Sequence, residues 1–210
     1  MSSLIQKIDE LIEQYSLLKH PFYQMWSDGT LSQESLSGYS KEYFQLVKEV
    51  PLFVENVTKY VPDSFVAELK ANQKEESEHI KPWTRFAKAL GVSENELETY
   101  QGLDKTKTAV SDLSNLMNSL ESGATAMYAL EKEIPKISQT KLEGLQKFYG
   151  ITDYDATQYF ELHKEADIRH AQTWQKILQR NSENAKLLDI AERSLLAQNL
   201  LLDGCYETYC

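Results

Sequence analysis

Apolar residues recur at every third and fourth position through one stretch of this chain after another, and strand-like alternation is absent. That period marks helices that bury one face. Only eight glycines and five prolines interrupt it across 210 residues, so helices must be long and connections short. The expected fold class is all-α, a helical bundle forming a single domain over residues 1–210.

Punctuation residues set the expected boundaries. A first amphipathic helix is predicted over residues 3–18, and Ser27-Asp28-Gly29-Thr30 closes the short segment after it. Ser32 caps a helix reaching residue 50, which Pro51 interrupts before the pattern resumes to residue 60. Pro62-Asp63-Ser64 opens a helix that stops at Leu90-Gly91, and Ser93 begins a short one. A long helix is predicted over residues 105–133, broken near Pro135 and continuing to Tyr149-Gly150. Asp153 caps a helix ending near Arg180-Asn181, and a last helix runs from Ser182 onward.

Charge narrows the partners. A net charge of −10 argues against nucleic acid and anionic membrane surfaces. No apolar run approaches a membrane span, and the acidic start is unlike a signal peptide, so a cytoplasmic location is expected. Cys205 and Cys210 are the only cysteines; so near the chain end they read as a solvated tail, neither a disulfide framework nor a zinc site.

The exceptions to the apolar pattern carry the chemistry. His163, Asp167 and His170 fall on one side of a helix, and that side is the apolar one: Ala156, Tyr159 and Phe160 precede them, Ala171 and Trp174 follow. Two imidazoles and a carboxylate at core positions are costly unless they are paired or hold a metal. His79 lies on a second inward stripe with Asn72 and Trp83, and either Glu75 or Glu76 could reach the same metal, periodicity favouring Glu76. Glu78 reads as solvated. A third stripe, through Leu116, Leu120, Met127 and Ile134, places Glu131 where a leucine would be expected, with Lys132 and Glu133 at the surface. Three histidines and three carboxylates from three helices suit a two-metal site, which needs about six ligands.

Glu75-Glu76-x-x-His79, Tyr128-Ala129-Leu130-Glu131-Lys132-Glu133-Ile134-Pro135 and His163-x-x-x-Asp167-x-x-His170 together resemble the haem-oxygenase-like di-metal oxidases, in particular the CADD-like group (chlamydial protein associating with death domains) of the TenA/PqqC-like superfamily. The likeness runs over about residues 18–180 and includes His20-Pro21-Phe22-Tyr23 and Tyr39-Ser40-Lys41-Glu42-Tyr43. It implies a seven-helix haem-oxygenase-like bundle, a homodimer, two metal ions (Fe/Fe or Fe/Mn), O₂ as co-substrate and an external reductant. Its metal ligands match Glu75, His79, Glu131, His163, Asp167 and His170. It further implies p-aminobenzoate synthesis for folate, consuming the protein's own Tyr23, with Tyr39 in the same pathway and Lys141 as nitrogen donor. Where the family has a tyrosine before the matching glutamate this chain has Leu130, which implies a different or dispensable radical relay.

Three other readings compete: the same site oxidising an external amino or fatty acid, a thiaminase-like enzyme needing a pocket cysteine, and a helical interaction module with no metal.

Overall fold

A computed structural model describes residues 3–179 and 184–210. Among them are eleven α-helices: α1 (Leu4–Gln14), α2 (Pro21–Asp28), α3 (Gln33–Val47), α4 (Val50–Thr58), α5 (Asp63–Ala89), α6 (Glu94–Thr99), α7 (Asp104–Leu116), α8 (Leu120–Glu131), α9 (Ile134–Phe148), α10 (Tyr154–Leu178) and α11 (Ala185–Tyr209). No strand occurs among the described residues, and no helix there is long and apolar enough to cross a membrane.

The count exceeds seven because local chemistry cuts the long helices. Pro51 and Pro135 lack the N–H that would continue the preceding helix, so α3 stops at Val47 rather than residue 50, and α8 stops at Glu131. The helix expected over residues 105–133 is two: it ends at Leu116, and Ser119 caps α8 by accepting from the Ser122 N–H. The first helix ends at Gln14, and a 3₁₀ turn over Leu17–Lys19 follows. The capping residues Ser32, Ser93 and Asp153 stand where expected, as does Gly29, whose φ of 71° ends α2. The expected helix end near Arg180-Asn181 and start at Ser182 lie outside the described residues.

Helices α5 and α10 form the antiparallel spine. Their side chains pair in order along the seam: Arg85 with Asp155, Trp83 with Tyr159, His79 with His163, Glu75 with Arg169, Glu68 with Thr173. Helix α8 packs on α10 between α4 and α11, and α9 covers another side of α10. Trp26, Trp83 and Trp174 are fully buried, as are Phe22, Phe53 and Phe86, each phenyl contributing roughly 1.5–3 kcal/mol.

One buried carboxylate ties the C-terminal helix in. Glu42 on α3 is wholly enclosed and accepts from the Leu103 N–H at 3.0 Å, Thr106 Oγ1 at 2.5 Å, Tyr209 Oη at 3.1 Å and Tyr100 Oη. Cys205 sits on the same helix as Tyr209 and is fully buried, so the tail is not solvated there; of the two cysteines, Cys210 is the exposed one. The reason is that Leu201, Leu202 and Cys205 continue the apolar stripe of α11 into the core.

Candidate metal centre and tyrosine–lysine cluster

The helical register of α5 turns Asn72, Glu76 and His79 inward and leaves Glu78 in solvent. Across the seam, α10 presents His163, Asp167 and His170, and α8 contributes Glu131; all are buried. Two sets of potential ligand atoms result, Glu76–His79–His163 and Glu76–Glu131–Asp167–His170, each within 4.8 Å of one another. Glu76 belongs to both. Its Oε1 lies 3.0 Å from His170 Nδ1, and its Oε2 lies 3.6 Å from His79 Nδ1 and 3.9 Å from His163 Nε2.

Glu75 is placed differently. It is half-buried, with Oε2 3.1 Å from His170 Nε2 and 3.0 Å from Arg169 Nη2. It therefore grips the far nitrogen of an inward-facing histidine, the role of a carboxylate that orients a metal-bound imidazole. His163 is held similarly: its Nδ1 lies 2.7 Å from the Tyr159 carbonyl, which turns Nε2 toward Glu76. Trp174 Nε1 donates to Glu131 Oε2 at 2.7 Å.

The fit to cations rests on orphaned atoms. Glu76 Oε1, His79 Nδ1, Asp167 Oδ2, His170 Nδ1 and Asn72 Nδ2 are buried with no hydrogen-bond partner; the 3.0 Å approach of Glu76 to His170 lacks hydrogen-bond alignment. Native interiors leave few such groups. Four of the five are carboxylate or imidazole atoms of the two overlapping sets, so the donors present suit two metal ions sharing Glu76. Without cations, protons must balance the charge. Burial and the Glu76 charge push Glu131 up to about 8 against the pull of His170, and burial drives Asp167 well above the carboxylate range. Burial opposes protonation of His170, yet Glu76, Glu131 and Glu75 outweigh it and push the imidazole up to about 9.

A second cluster lies on α2, α3 and α9. Tyr23 and Tyr39 hydroxyls are 3.0 Å apart, and Lys141 Nζ donates to Tyr39 Oη. The amine sits 4.7 Å from the Tyr23 ring centroid and 4.8 Å from those of Tyr39 and Tyr43. All three expected residues are buried, and burial holds Lys141 well below its ordinary range while raising both phenols well above theirs. Close helix approach makes this possible: a Cβ on Gly144 would lie 2.6 Å from the Trp26 ring, whose Nε1 donates to the Lys141 carbonyl at 3.2 Å.

Several residues escaped the sequence reading. Tyr43 and Tyr159 line the space beside Glu76, Glu131 and Asp167, and Tyr159 stacks on His163 with centroids 4.0 Å apart. Their signal was present: Tyr43 stands one turn after Tyr39, and Tyr159 one turn before His163. Glu133, expected at the surface, is partly buried and accepts from Ser16 Oγ and the Leu17 N–H, anchoring the 3₁₀ turn. Cys205 is buried, but burial raises its thiol well above the usual range, which leaves it protonated and weakly nucleophilic.

The chain resembles known proteins over nearly its full length. It is 30% identical to a 4-aminobenzoate synthase of Nitrosomonas europaea, covering 98% of this chain and 92% of that one. A 4-aminobenzoate synthase of Chlamydia pneumoniae is 33% identical, over 85% of this chain and 83% of its own. Among solved structures, a TenA homologue from Pseudomonas syringae superposes with a TM-score of 0.82 at 17% identity, covering 99% and 98% of the two chains. A CADD-like protein of unknown function from Nostoc punctiforme superposes with a TM-score of 0.72 at 16% identity, covering 97% and 94%. The fold is thus that of the TenA-like, haem-oxygenase-like helical proteins. Residues 5–207 match the model of the TENA/THI-4/PQQC family, and the chain belongs to it.

Proposed function

We propose that this chain makes 4-aminobenzoate (p-aminobenzoate) for folate synthesis in an oxygen-dependent reaction, taking the ring from its own Tyr23 and the nitrogen from Lys141. The observation that carries this reading is the lysine itself. Its amine is buried against three tyrosine rings, with a phenol as hydrogen-bond partner and no carboxylate among the described residues to hold its charge. A neutral amine has a free lone pair, and the rings of Tyr23, Tyr39 and Tyr43 are within its reach.

Glu76, His79, His163, Glu131, Asp167 and His170 would hold two metal ions, Fe/Fe or Fe/Mn, with Glu75 orienting His170. Those ions supply the redox chemistry of dioxygen reduction when bound. An external reductant, a homodimer and a cytoplasmic location belong to the same reading. The space beside the site is about 30 Å³, whereas a benzene-sized ring needs about 150 Å³. That difference favours an internal substrate over an external amino or fatty acid. A module without chemistry would have no use for five orphaned polar atoms in one core.

The test is rescue of a 4-aminobenzoate auxotroph, with mass analysis of the purified chain. Wild type is expected to rescue and to lose mass at Tyr23; Tyr23→Phe and Lys141→Arg are expected to do neither. Rescue surviving both changes would assign an external substrate.

A further inference from the structure

The 30 Å³ cavity beside the carboxylate–histidine cluster has two unlike ends. Its inner end is polar: Glu76, Glu131, His163 and Asp167, with Tyr43 and Tyr159 beside them. Its outer wall is aliphatic: Leu46 and Val47 from α3, Leu130 from α8, and then Val50 and Ile134. Leu46, Val47 and Leu130 are at most 4% exposed, whereas Val50 and Ile134 are only partly buried and stand where the cavity nears the surface.

The two outer residues occupy matching places. Val50 belongs to Lys48-Glu49-Val50-Pro51 and Ile134 to Lys132-Glu133-Ile134-Pro135, the same tetrapeptide pattern at two helix breaks. In each, proline is the second residue of the new helix, and the preceding helix ends four residues before it, at Val47 and at Glu131. Each break thus opens a turn of helix wall at the cavity and fills the opening with one β-branched side chain.

We propose that this aliphatic passage is the binding site and entry route for dioxygen, with Val50 and Ile134 as its mouth. A cavity holds a water once it offers about 10–15 Å³ on this measure, so this one admits only one or two very small molecules. The five aliphatic side chains offer that molecule no hydrogen bond until it meets the phenols, carboxylates and imidazole of the inner end. An apolar diatomic gas is the ligand class that suits both facts. Polar solutes would lose hydration along the aliphatic stretch without compensation.

This inference rests on the oxygen-dependent reading above, and its test separates the two. Crystals of the metal-free full chain pressurised with xenon are expected to show one xenon atom between Val47, Leu130 and Ile134. Val50→Phe and Ile134→Phe, both at partly exposed positions, are expected to lower the second-order rate of Tyr23 loss in dioxygen about tenfold. The extent of loss at saturating dioxygen and the metal content are expected to stay at wild-type levels. Absence of xenon from the wild-type cavity overturns the proposal, as does xenon binding with oxygen dependence unchanged in both variants. If wild type makes no 4-aminobenzoate, the functional reading falls, and the xenon result still decides whether the cavity admits a gas.

Discussion

This bundle buries two carboxylates in quite different ways. Glu42 accepts four hydrogen bonds, from two tyrosines, a threonine and a backbone amide, and nothing around it is left over. Glu76 is also buried, yet one of its oxygens and several of its neighbours' polar atoms have no partner among the described residues. A buried charge surrounded by enough donors is a structural clamp. One surrounded by carboxylates and imidazoles has to be balanced by protons or by cations. The difference teaches where stability resides and where binding capacity has been set aside at its expense.

The sharpest break would come from exchanging their fates. Glu76→Gln is expected to weaken metal binding on the order of a thousandfold, about 4 kcal/mol, because Glu76 is common to both ligand sets. Titration calorimetry of the metal-free chain measures it. Glu42→Ala should act on stability instead. It orphans the Tyr100, Tyr209, Thr106 and Leu103 donors and is expected to cost about 3 kcal/mol of unfolding free energy, with metal affinity per folded molecule unchanged. A large loss of metal affinity in Glu42→Ala would dissolve the distinction.

How much of this could be read from residues alone follows the same division. The stripes on α5 and α10 were legible because polar residues in an apolar register stand out: His79, His163, Asp167 and His170 all point into one site. Periodicity favours Glu76 and the resemblance matches Glu75; the two neighbours differ by 100° in direction and both could approach a metal, so local pattern leaves the choice open. The break between α7 and α8 was missed because no glycine or proline marks it; the Ser119 cap was its signal. Cys205 was misjudged by its nearness to the chain end, although the spacing from Leu201 and Leu202 already placed it on the buried face. Lys141 was legible only through resemblance. Pairings such as Glu42 with Tyr209 join residues 167 positions apart, and local pattern does not encode them.

Lys141 extends the comparison to a buried amine. Its folded-state pKa lies well below the ordinary 10.5, with burial as the dominant cause. Between those two values the unfolded chain holds a proton that the folded chain lacks, so stability rises with pH through that window. Lys141→Met is expected to stabilise the metal-free protein by about 2 kcal/mol at pH 7 and to flatten the rise between pH 7 and 9.5. Urea denaturation at the two pH values measures both. A variant less stable than wild type at pH 7 would mean that the amine is structurally satisfied, like Glu42.

Glu75 lies between the two extremes, and its effect is expected to be the smallest. It is partly exposed, paired with Arg169, and touches the metal-site residues only through the outer nitrogen of His170. Glutamine at position 75 can still accept from His170 Nε2 but no longer carries the charge that makes Nδ1 a better donor. Glu75→Gln is therefore expected to weaken metal binding about tenfold, the usual scale for a residue that orients a ligand. Glu78→Gln, one turn away from Lys74 on the exposed face, serves as the control and is expected to change nothing measurable. Calorimetry of Glu75→Gln beside Glu76→Gln puts the two glutamates on one scale. Equal losses would make Glu75 a direct ligand, and the two overlapping ligand sets around Glu76 would have to be redrawn.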